Sequence, residues 1–120
     1  SELYVVKDMH ERKTKMSELS DGFIALPGGA GTWEEIFEQW TWAQLGIHLK
    51  PCAFLNVEGF YDDLFKFIQL STDKGFTKDR FTDALVCSES IADIIAQFEK
   101  FVAPEPKWGA QERQQLDKLA

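Results

Sequence analysis

An α/β fold built on a parallel sheet is predicted by three features of this 120-residue sequence. Short runs rich in β-branched and aromatic residues alternate with longer segments of helical apolar spacing. The short runs are almost continuously apolar, which is typical of strands covered on both faces. Each run is followed by a helical segment, and this order requires parallel strands joined by right-handed crossovers. The sequence therefore predicts a Rossmann-like parallel sheet flanked by helices.

Four strand–helix units follow one another along the chain. The predicted strands span residues 3–8, 22–26, 52–57 and 84–87. The helices that follow them span about 9–19, from about 32 onwards, 61–73 and 90–101. A chain of this length forms one domain, and Pro104 and Pro106 end the last unit. We therefore expect one domain over residues 1–103 and a polar tail, helical at most, over residues 104–120.

The composition limits the classes of partner that the protein can have. A formal net charge of -7 and a pI near 4.8 argue against binding to nucleic acid or anionic membranes, because both need a basic surface. Cys52 and Cys87 lie in apolar runs without metal-ligand spacing, which favours buried free thiols over a metal site. No stretch has the pattern of a signal peptide or of a membrane span. We expect a cytoplasmic protein without a metal or a cofactor.

A glycine-rich loop, "PGGAGT" at residues 27–32, follows the second predicted strand and opens a helix. Glycines let backbone N–H groups approach an anion closely, and a helix N-terminus adds a favourable dipole. The loop matches neither standard phosphate fingerprint, because no lysine follows it and Glu34 stands where the last glycine of GxGxxG would be. The loop is therefore explained equally well as a phosphate cradle and as a tight turn.

The carboxylate of Glu35 also has two interpretations. Thr32 and Glu35 have the T-x-x-E spacing of a capping box, in which both side chains bond to amides at the helix end. Glu34 in the first turn would suit the helix dipole. Spacing alone favours this capping role over a catalytic one.

The helix after the loop carries more aromatic residues than one buried face needs. Its sequence "WTWAQLGIH" suggests a subunit interface as well as a core face. Glu34, Glu38 and Thr41 lie on another face, where the Thr41 hydroxyl is expected to bond to the carbonyl four residues earlier. Helical spacing predicts a buried stripe of Trp33, Ile36, Phe37, Trp40 and either Gln44 or Leu45.

A second unusual segment, "DMHERKTKM" at residues 8–16, places Arg12, Lys13 and Lys15 close together in an acidic chain. This helix start and the glycine loop fall on the same edge of a parallel sheet, so the cations could meet an anion held there. A solvated face with a Glu11–Lys15 pair explains the segment equally well. His10 is expected to be a hydrogen-bonding residue at the helix start rather than a metal ligand.

Taken together, these segments resemble the LONELY GUY (LOG) family of cytokinin riboside 5'-monophosphate phosphoribohydrolases, which is often labelled lysine decarboxylase-like. The family pattern PGGxGTxxE matches from Pro27 to Glu35, and "MHERK", "TWAQLGIHLKP" and "LNVEGFYDDLFKFIQLSTDKGF" extend the likeness over most of residues 3–90. The likeness is to the C-terminal larger part of the family domain. Family members carry further N-terminal units, so another segment or subunit is expected to complete the ligand crevice.

The resemblance implies hydrolysis of the N-glycosidic bond of a nucleoside 5'-monophosphate, such as AMP or a cytokinin riboside 5'-monophosphate. By analogy, Arg12 and Glu35 are the catalytic pair. A homodimer is also implied, with the aromatic helix 33–45 as the expected interface. The residues assigned to substrate binding are Lys13, Gly28, Gly29, Ala30, Gly31, Thr32, Trp33, Glu34 and Thr41, with His10 and Met16 as possible additions.

Two other functions remain open from the residues alone. A non-catalytic nucleotide carrier of the same superfold, resembling molybdenum-cofactor carrier proteins, would bind the ligand without cleaving it. A structural remnant would use the loop only as a turn and Glu35 only as a cap.

Overall fold

The structure is a computed structural model that describes Lys15 and residues 18–107. Several sequence predictions lie outside this part of the chain. Lys15, Glu18 and Leu19 are helical and fall within the helix predicted over residues 9–19. The predictions outside the described residues concern the strand 3–8, His10, Arg12, Lys13, Met16 and the tail beyond residue 107.

Parallel strands and helices alternate through the described part of the chain. The strands form one parallel sheet in the order β1-β2-β3, which confirms the predicted α/β class. A 3₁₀ turn, Val57–Gly59, follows β2. The strands are β1 (Phe23–Ala25), β2 (Cys52–Leu55) and β3 (Val86–Ser88), and the helices are α1 (Ala30–Leu45), α2 (Asp62–Asp73), α3 (Asp79–Asp83) and α4 (Ile91–Glu99).

One face of the sheet packs against α1 and α2. Phe54 lies at the centre of this face and is fully buried. Its ring and that of Phe65 meet edge-on, with 5.2 Å between their centroids. Large apolar side chains on this face account for much of the hydrophobic stabilisation. The buried members of this core are Phe23, Ala25, Ile36, Cys52, Phe54 and Tyr61.

The opposite face packs against α4. Ala53 and Ile94 are fully buried there, and Ile24, Leu55 and Phe98 pack around them. Gly22 lies under the Phe98 ring, where an added Cβ would come within 2.6 Å of a ring carbon. Both faces are therefore covered, as the continuous apolar runs predict.

The ends of several elements differ from the prediction because turns interrupt the apolar runs. The predicted strand 52–57 ends at Leu55, since Asn56 opens a turn in which Glu58 has a left-handed φ of 49°. The strand predicted over 84–87 lies at Val86–Ser88. Helix α3, with five residues, was not predicted because so short a segment shows no periodicity.

The segment after α4 returns across the molecule. The backbone N–H of Lys107 donates to the Gln44 carbonyl at 2.7 Å. Arg80 donates from Nε to the Glu105 carbonyl at 2.7 Å and from Nη2 to the Pro106 carbonyl at 3.0 Å. Residues 105–107 are thus tied to the end of α1 and to α3.

Candidate functional site

The glycine loop joins the carboxyl end of β1 to the start of α1. Gly29 is the residue before the helix, with extended backbone (φ -111°, ψ -154°), and its carbonyl accepts from the Trp33 N–H at 3.1 Å. Because the residue before the helix is a glycine, it makes no side-chain capping bond. The predicted capping box is therefore wrong, because the helix begins two residues before Thr32 and places Thr32 inside its first turn.

The first amides of α1 are available to an anion. The N–H groups of Ala30, Gly31 and Thr32 precede the first intrahelical bond, so the helix itself offers them no acceptor. They lie at the positive end of a 16-residue helix, where the dipole favours negative charge. This geometry suits a phosphate.

The glycines of the loop meet two different requirements. A Cβ at Gly28 would lie 2.5 Å from Thr32 Oγ1, so packing inside the loop requires glycine there. A Cβ at Gly29 or Gly31 would meet no described atom within 4 Å. The open space beside these two residues is where a ligand can approach the backbone.

A cavity of about 240 Å³ lies between β1 and one side of α1. Glu35 and Thr32 line it together, so the structure brings these two predicted site residues to one place. Gln39 also lines it, 2% exposed, and its Oε1 has no hydrogen-bond partner among the described residues. We call this the Glu35 cavity; its other lining residues are Gly22, Phe23, Ile24, Ala25 and Ile36.

Gln39 is not among the site residues predicted from the sequence. It lies one turn after Glu35, in the stripe of α1 that packs on the sheet, and Ile36 beside it is also buried. A polar residue at the i+4 position from a candidate catalytic carboxylate is the signal that could have identified it.

A second cavity, of about 280 Å³, lies on the other side of α1. We call it the Trp33 cavity; its lining residues are Trp33, Phe37, Phe60, Tyr61 and Leu64. Trp33 is 44% exposed, so its predicted place in the buried stripe is wrong. It belongs to the first turn of α1, and the wall beside it is an open cavity rather than a packed core.

The remaining stripe residues pack as predicted or nearly so. Ile36 is buried, while Phe37 and Trp40 are partly buried against the core. Trp40 also donates from Nε1 to the Phe81 carbonyl at 3.3 Å. Gln44 and Leu45 are half-buried.

Thr41 makes the bond that its position predicts. Its hydroxyl donates to the Phe37 carbonyl at 2.7 Å. The side chain lies roughly 16 Å along the helix axis from Ala30, at 1.5 Å per residue. Thr41 and the glycine loop are therefore at different levels of α1, and a role for Thr41 in substrate binding stays a prediction, as does that of exposed Glu34.

The two thiols are free but differ in exposure. Burial raises the pKa of Cys52 to about 12, which makes this thiol inert at neutral pH. Cys87 is exposed, so its predicted burial is wrong: its strand residue faces outward between buried Val86 and half-buried Ser88. The Cys87 pKa is raised as well, first by partial burial of its thiol and then by the nearby negative charge of Asp62.

Buried His48 packs against Phe23, one of the residues that line the Glu35 cavity. Its ring is 5.3 Å from that of Phe23, and its Nδ1 accepts from the Lys50 N–H at 3.1 Å. Burial lowers its pKa, and the positive charge of Lys50 acts in the same direction. Nδ1 is thus an acceptor, which places the proton of the neutral ring on Nε2.

Lys15 and residues 18–107 contain neither a candidate metal site nor a candidate membrane-spanning helix. Across these residues there is no group of three or more histidine, cysteine or acidic side chains placed to hold a metal ion. The helices seen there are too short or too polar to traverse a lipid bilayer.

Comparisons with known proteins agree with the motifs. Residues 1–98 match the family model described as possible lysine decarboxylase. The chain is 41% identical over 118 residues to the cytokinin riboside 5'-monophosphate phosphoribohydrolase LOG1 of Arabidopsis thaliana, covering 98% of this chain and 55% of the relative. It is 44% identical over 108 residues to the enzyme LOG of Oryza sativa subsp. japonica, covering 90% of this chain and 44% of the relative.

The chain spans about half the length of these curated relatives. The family match nevertheless extends over the glycine loop, α1 and the whole described sheet. The chain therefore belongs to the family described as possible lysine decarboxylase, in which the relatives it resembles are named cytokinin riboside 5'-monophosphate phosphoribohydrolases.

Proposed function

We propose that this chain forms part of a hydrolase that cleaves the N-glycosidic bond of nucleoside 5'-monophosphates. The products would be the free base and ribose 5-phosphate, with AMP or a cytokinin riboside 5'-monophosphate as substrate. The supporting observation is the Glu35 cavity, which is lined by both Glu35 and Thr32 from the first turns of α1. The names of the relatives support the same reaction and favour it over decarboxylation of lysine.

The phosphate would bind the amides of Ala30, Gly31 and Thr32, with Lys13 as an expected cation beside them. This placement leaves the sugar next to Glu35 in the cavity. Cleavage of a glycosidic bond passes through an oxocarbenium-like state, which a carboxylate stabilises or supplies with an activated water. Water adds to the anomeric carbon, the bond to the base nitrogen breaks, and the base leaves with a proton. Arg12 would orient the substrate or neutralise developing charge.

We also propose a homodimer in which α1 and α2 form the interface. Trp33, Phe60 and Phe67 are 44%, 50% and 67% exposed, and such exposure of large aromatic side chains is typical of an interaction surface. Trp33 and Phe60 both line the Trp33 cavity, and Phe67 lies on α2. Aromatic residues are enriched in the buried centre of protein interfaces. We also propose a cytoplasmic location. Both cysteines are free thiols, which is typical of proteins in a reducing compartment.

The reaction is tested by incubating the purified protein with AMP and with its N6-isopentenyl derivative. Chromatography should show free base and ribose 5-phosphate in equal amounts. The decisive variant is Glu35→Gln, which keeps the size of the side chain and removes the charge. Glu38→Gln is the matched control, since it makes the same change on the same helix at a residue that does not line the Glu35 cavity.

Three results would overturn the proposal. Tight binding of AMP that stays intact after long incubation would indicate a non-catalytic carrier. Release of carbon dioxide from lysine would support the family description instead. Equal rates for the wild type and Glu35→Gln would remove the carboxylate from the mechanism.

A further inference from the structure

Tyr61 connects the core of the sheet to the glycine loop. Its side chain is 2% exposed, and its ring meets those of Phe54 and Phe60 edge-on at 5.0 and 4.9 Å between centroids. Its hydroxyl donates to the carbonyl of Leu26, 35 positions earlier in the chain. Leu26 lies between the last residue of β1 and Pro27, so this bond reaches the base of the glycine loop.

The Leu26 bond is the last of a series that crosses the carboxyl edge of the sheet. The Asn56 N–H, at the end of β2, donates to the Ser88 carbonyl at the end of β3, at 2.8 Å. Asn56 Oδ1 accepts from the Tyr61 N–H at 2.7 Å. Asn56 Nδ2 donates to Asp62 Oδ1 at 2.8 Å, which holds the amide in this orientation. We call the three bonds from Ser88 to Leu26 the carboxyl-edge brace.

The packing of Tyr61 depends mainly on its ring, and its hydroxyl adds little to that packing. A phenylalanine would fill the same space between Phe54 and Phe60, so the specific effect of the oxygen is on the Leu26 carbonyl. The loop that follows is tightly packed at Gly28, where an added Cβ would lie 2.5 Å from Thr32 Oγ1. A fixed position of the Leu26 carbonyl therefore also sets the position of the N–H groups that follow Gly29.

We propose that Tyr61 is a positioning residue for the phosphate cradle, acting through the Leu26 carbonyl. The inference rests on the proposed function, in which the amides of residues 30–32 hold the substrate phosphate. It assigns Tyr61 no contact with the reacting atoms. Its effect should appear in the binding of the phosphate and not in the chemical step.

The kinetic test uses Tyr61→Phe with AMP as substrate. The KM should rise about 5- to 10-fold, in keeping with the loss of one partly buried hydrogen bond, while kcat changes less than 2-fold. Inhibition by ribose 5-phosphate should weaken by the same factor, whereas inhibition by adenine should not change. A fall in kcat alone, or equal weakening of both inhibitors, would contradict the inference.

The matched control is Thr72→Val. Thr72 is also buried, and its hydroxyl donates to the Ile68 carbonyl within α2 at 2.9 Å. The same hydroxyl bonds to Thr82 Oγ1 of α3 at 2.7 Å. This variant loses a buried hydroxyl without touching the brace. It should lower the melting temperature and leave the KM for AMP unchanged. An equal KM increase in Thr72→Val would show that Tyr61→Phe acts only through general stability.

A second measurement does not depend on catalysis. Amide hydrogen exchange by NMR in the ligand-free protein should quicken at residues 28–32 in Tyr61→Phe and not in Thr72→Val. Asn56→Ala, which breaks the middle of the brace, should have the same effect, and the double variant should add little. Unchanged exchange would overturn the brace even if the enzyme is active. If these variants show faster exchange but the wild type cleaves no AMP, the brace stands and the proposed function is refuted.

Discussion

The two cavities beside α1 differ in chemistry although one helix forms a wall of each. The Glu35 cavity contains a carboxylate, a hydroxyl and a buried amide, whereas the Trp33 cavity is lined by aromatic and aliphatic groups. Trp33 and Glu35 are two residues apart, which turns them about 200° from each other around the helix. The first turns of α1 therefore separate a more polar side from an apolar side within a single peptide segment.

This comparison shows how a short motif can serve two purposes. The side of α1 that faces β1 carries Glu35, Ile36 and Gln39. The side that faces α2 carries Trp33 and Phe37. We assign the first side to the substrate and the second to assembly, and the following changes test that division.

The largest effect is expected at Glu35. Glu35→Gln should lower kcat with AMP by at least about 100-fold, the usual scale for removing an electrostatic or acid–base group. A discontinuous assay, in which chromatography measures the adenine released over time, gives the two kcat values. A Trp33→Gln variant assayed beside it should retain the chemical step, and a comparable kcat loss there would contradict the division.

Removing the apolar side should weaken assembly. Replacing both Trp33 and Phe67 with glutamine should raise the dimer dissociation constant by about 10- to 100-fold, since buried aromatic anchors dominate interfaces. Sedimentation equilibrium of both proteins over a range of concentrations gives the comparison. If wild type is a monomer at all concentrations, or the variant associates equally well, α1 and α2 do not form the interface.

A glycine substitution separates ligand binding from folding. Gly31→Ala should leave the free energy of unfolding unchanged or raise it by about 0.5–1 kcal/mol, because Gly31 lies within α1 and a Cβ there meets no described atom. The affinity for AMP should fall about 10-fold, since the new methyl group occupies the approach to the amides. Urea denaturation and calorimetry measure the two quantities. Stronger folding with unchanged affinity would place the phosphate elsewhere.

Gly28→Ala is the counterpart of that change. Its Cβ would come within 2.5 Å of Thr32 Oγ1, so this variant should lower both stability and affinity. Stability equal to that of the wild type would show that the Thr32 side chain moves aside easily.

The smallest effect concerns His48, which packs against Phe23 in the lining of the Glu35 cavity. Burial lowers the pKa of His48 from its ordinary value of 6.5, so the unfolded chain binds a proton at a higher pH than the folded protein does. The free energy of unfolding should therefore fall as the pH drops below about 6.5, until the folded pKa is passed. Urea denaturation between pH 7.5 and 5 measures the slope, and His48→Gln should flatten it. An unchanged slope in that variant would assign the dependence to other groups.

Much of the sheet could be predicted from the sequence because local patterns determine it. The apolar runs that contain β1, β2 and β3 are bounded by turn residues, so the strands and their parallel order follow from their spacing. The same holds for the glycine loop and for α4, where Ser90 caps the helix by accepting from the Asp93 N–H at 3.2 Å. The family motif added the expectation of Glu35 as a catalytic group.

Sequence alone determined the class of fold, the position of the loop and the residue types around it. Tertiary structure decided where α1 begins, since Gly29 and not Thr32 precedes the helix. It also decided that Trp33 faces an open cavity, that Gln39 is buried beside Glu35 and that Tyr61 bonds to Leu26. These outcomes depend on contacts between residues far apart in the chain, and periodicity within one segment contains no information about what the neighbouring segment places opposite it.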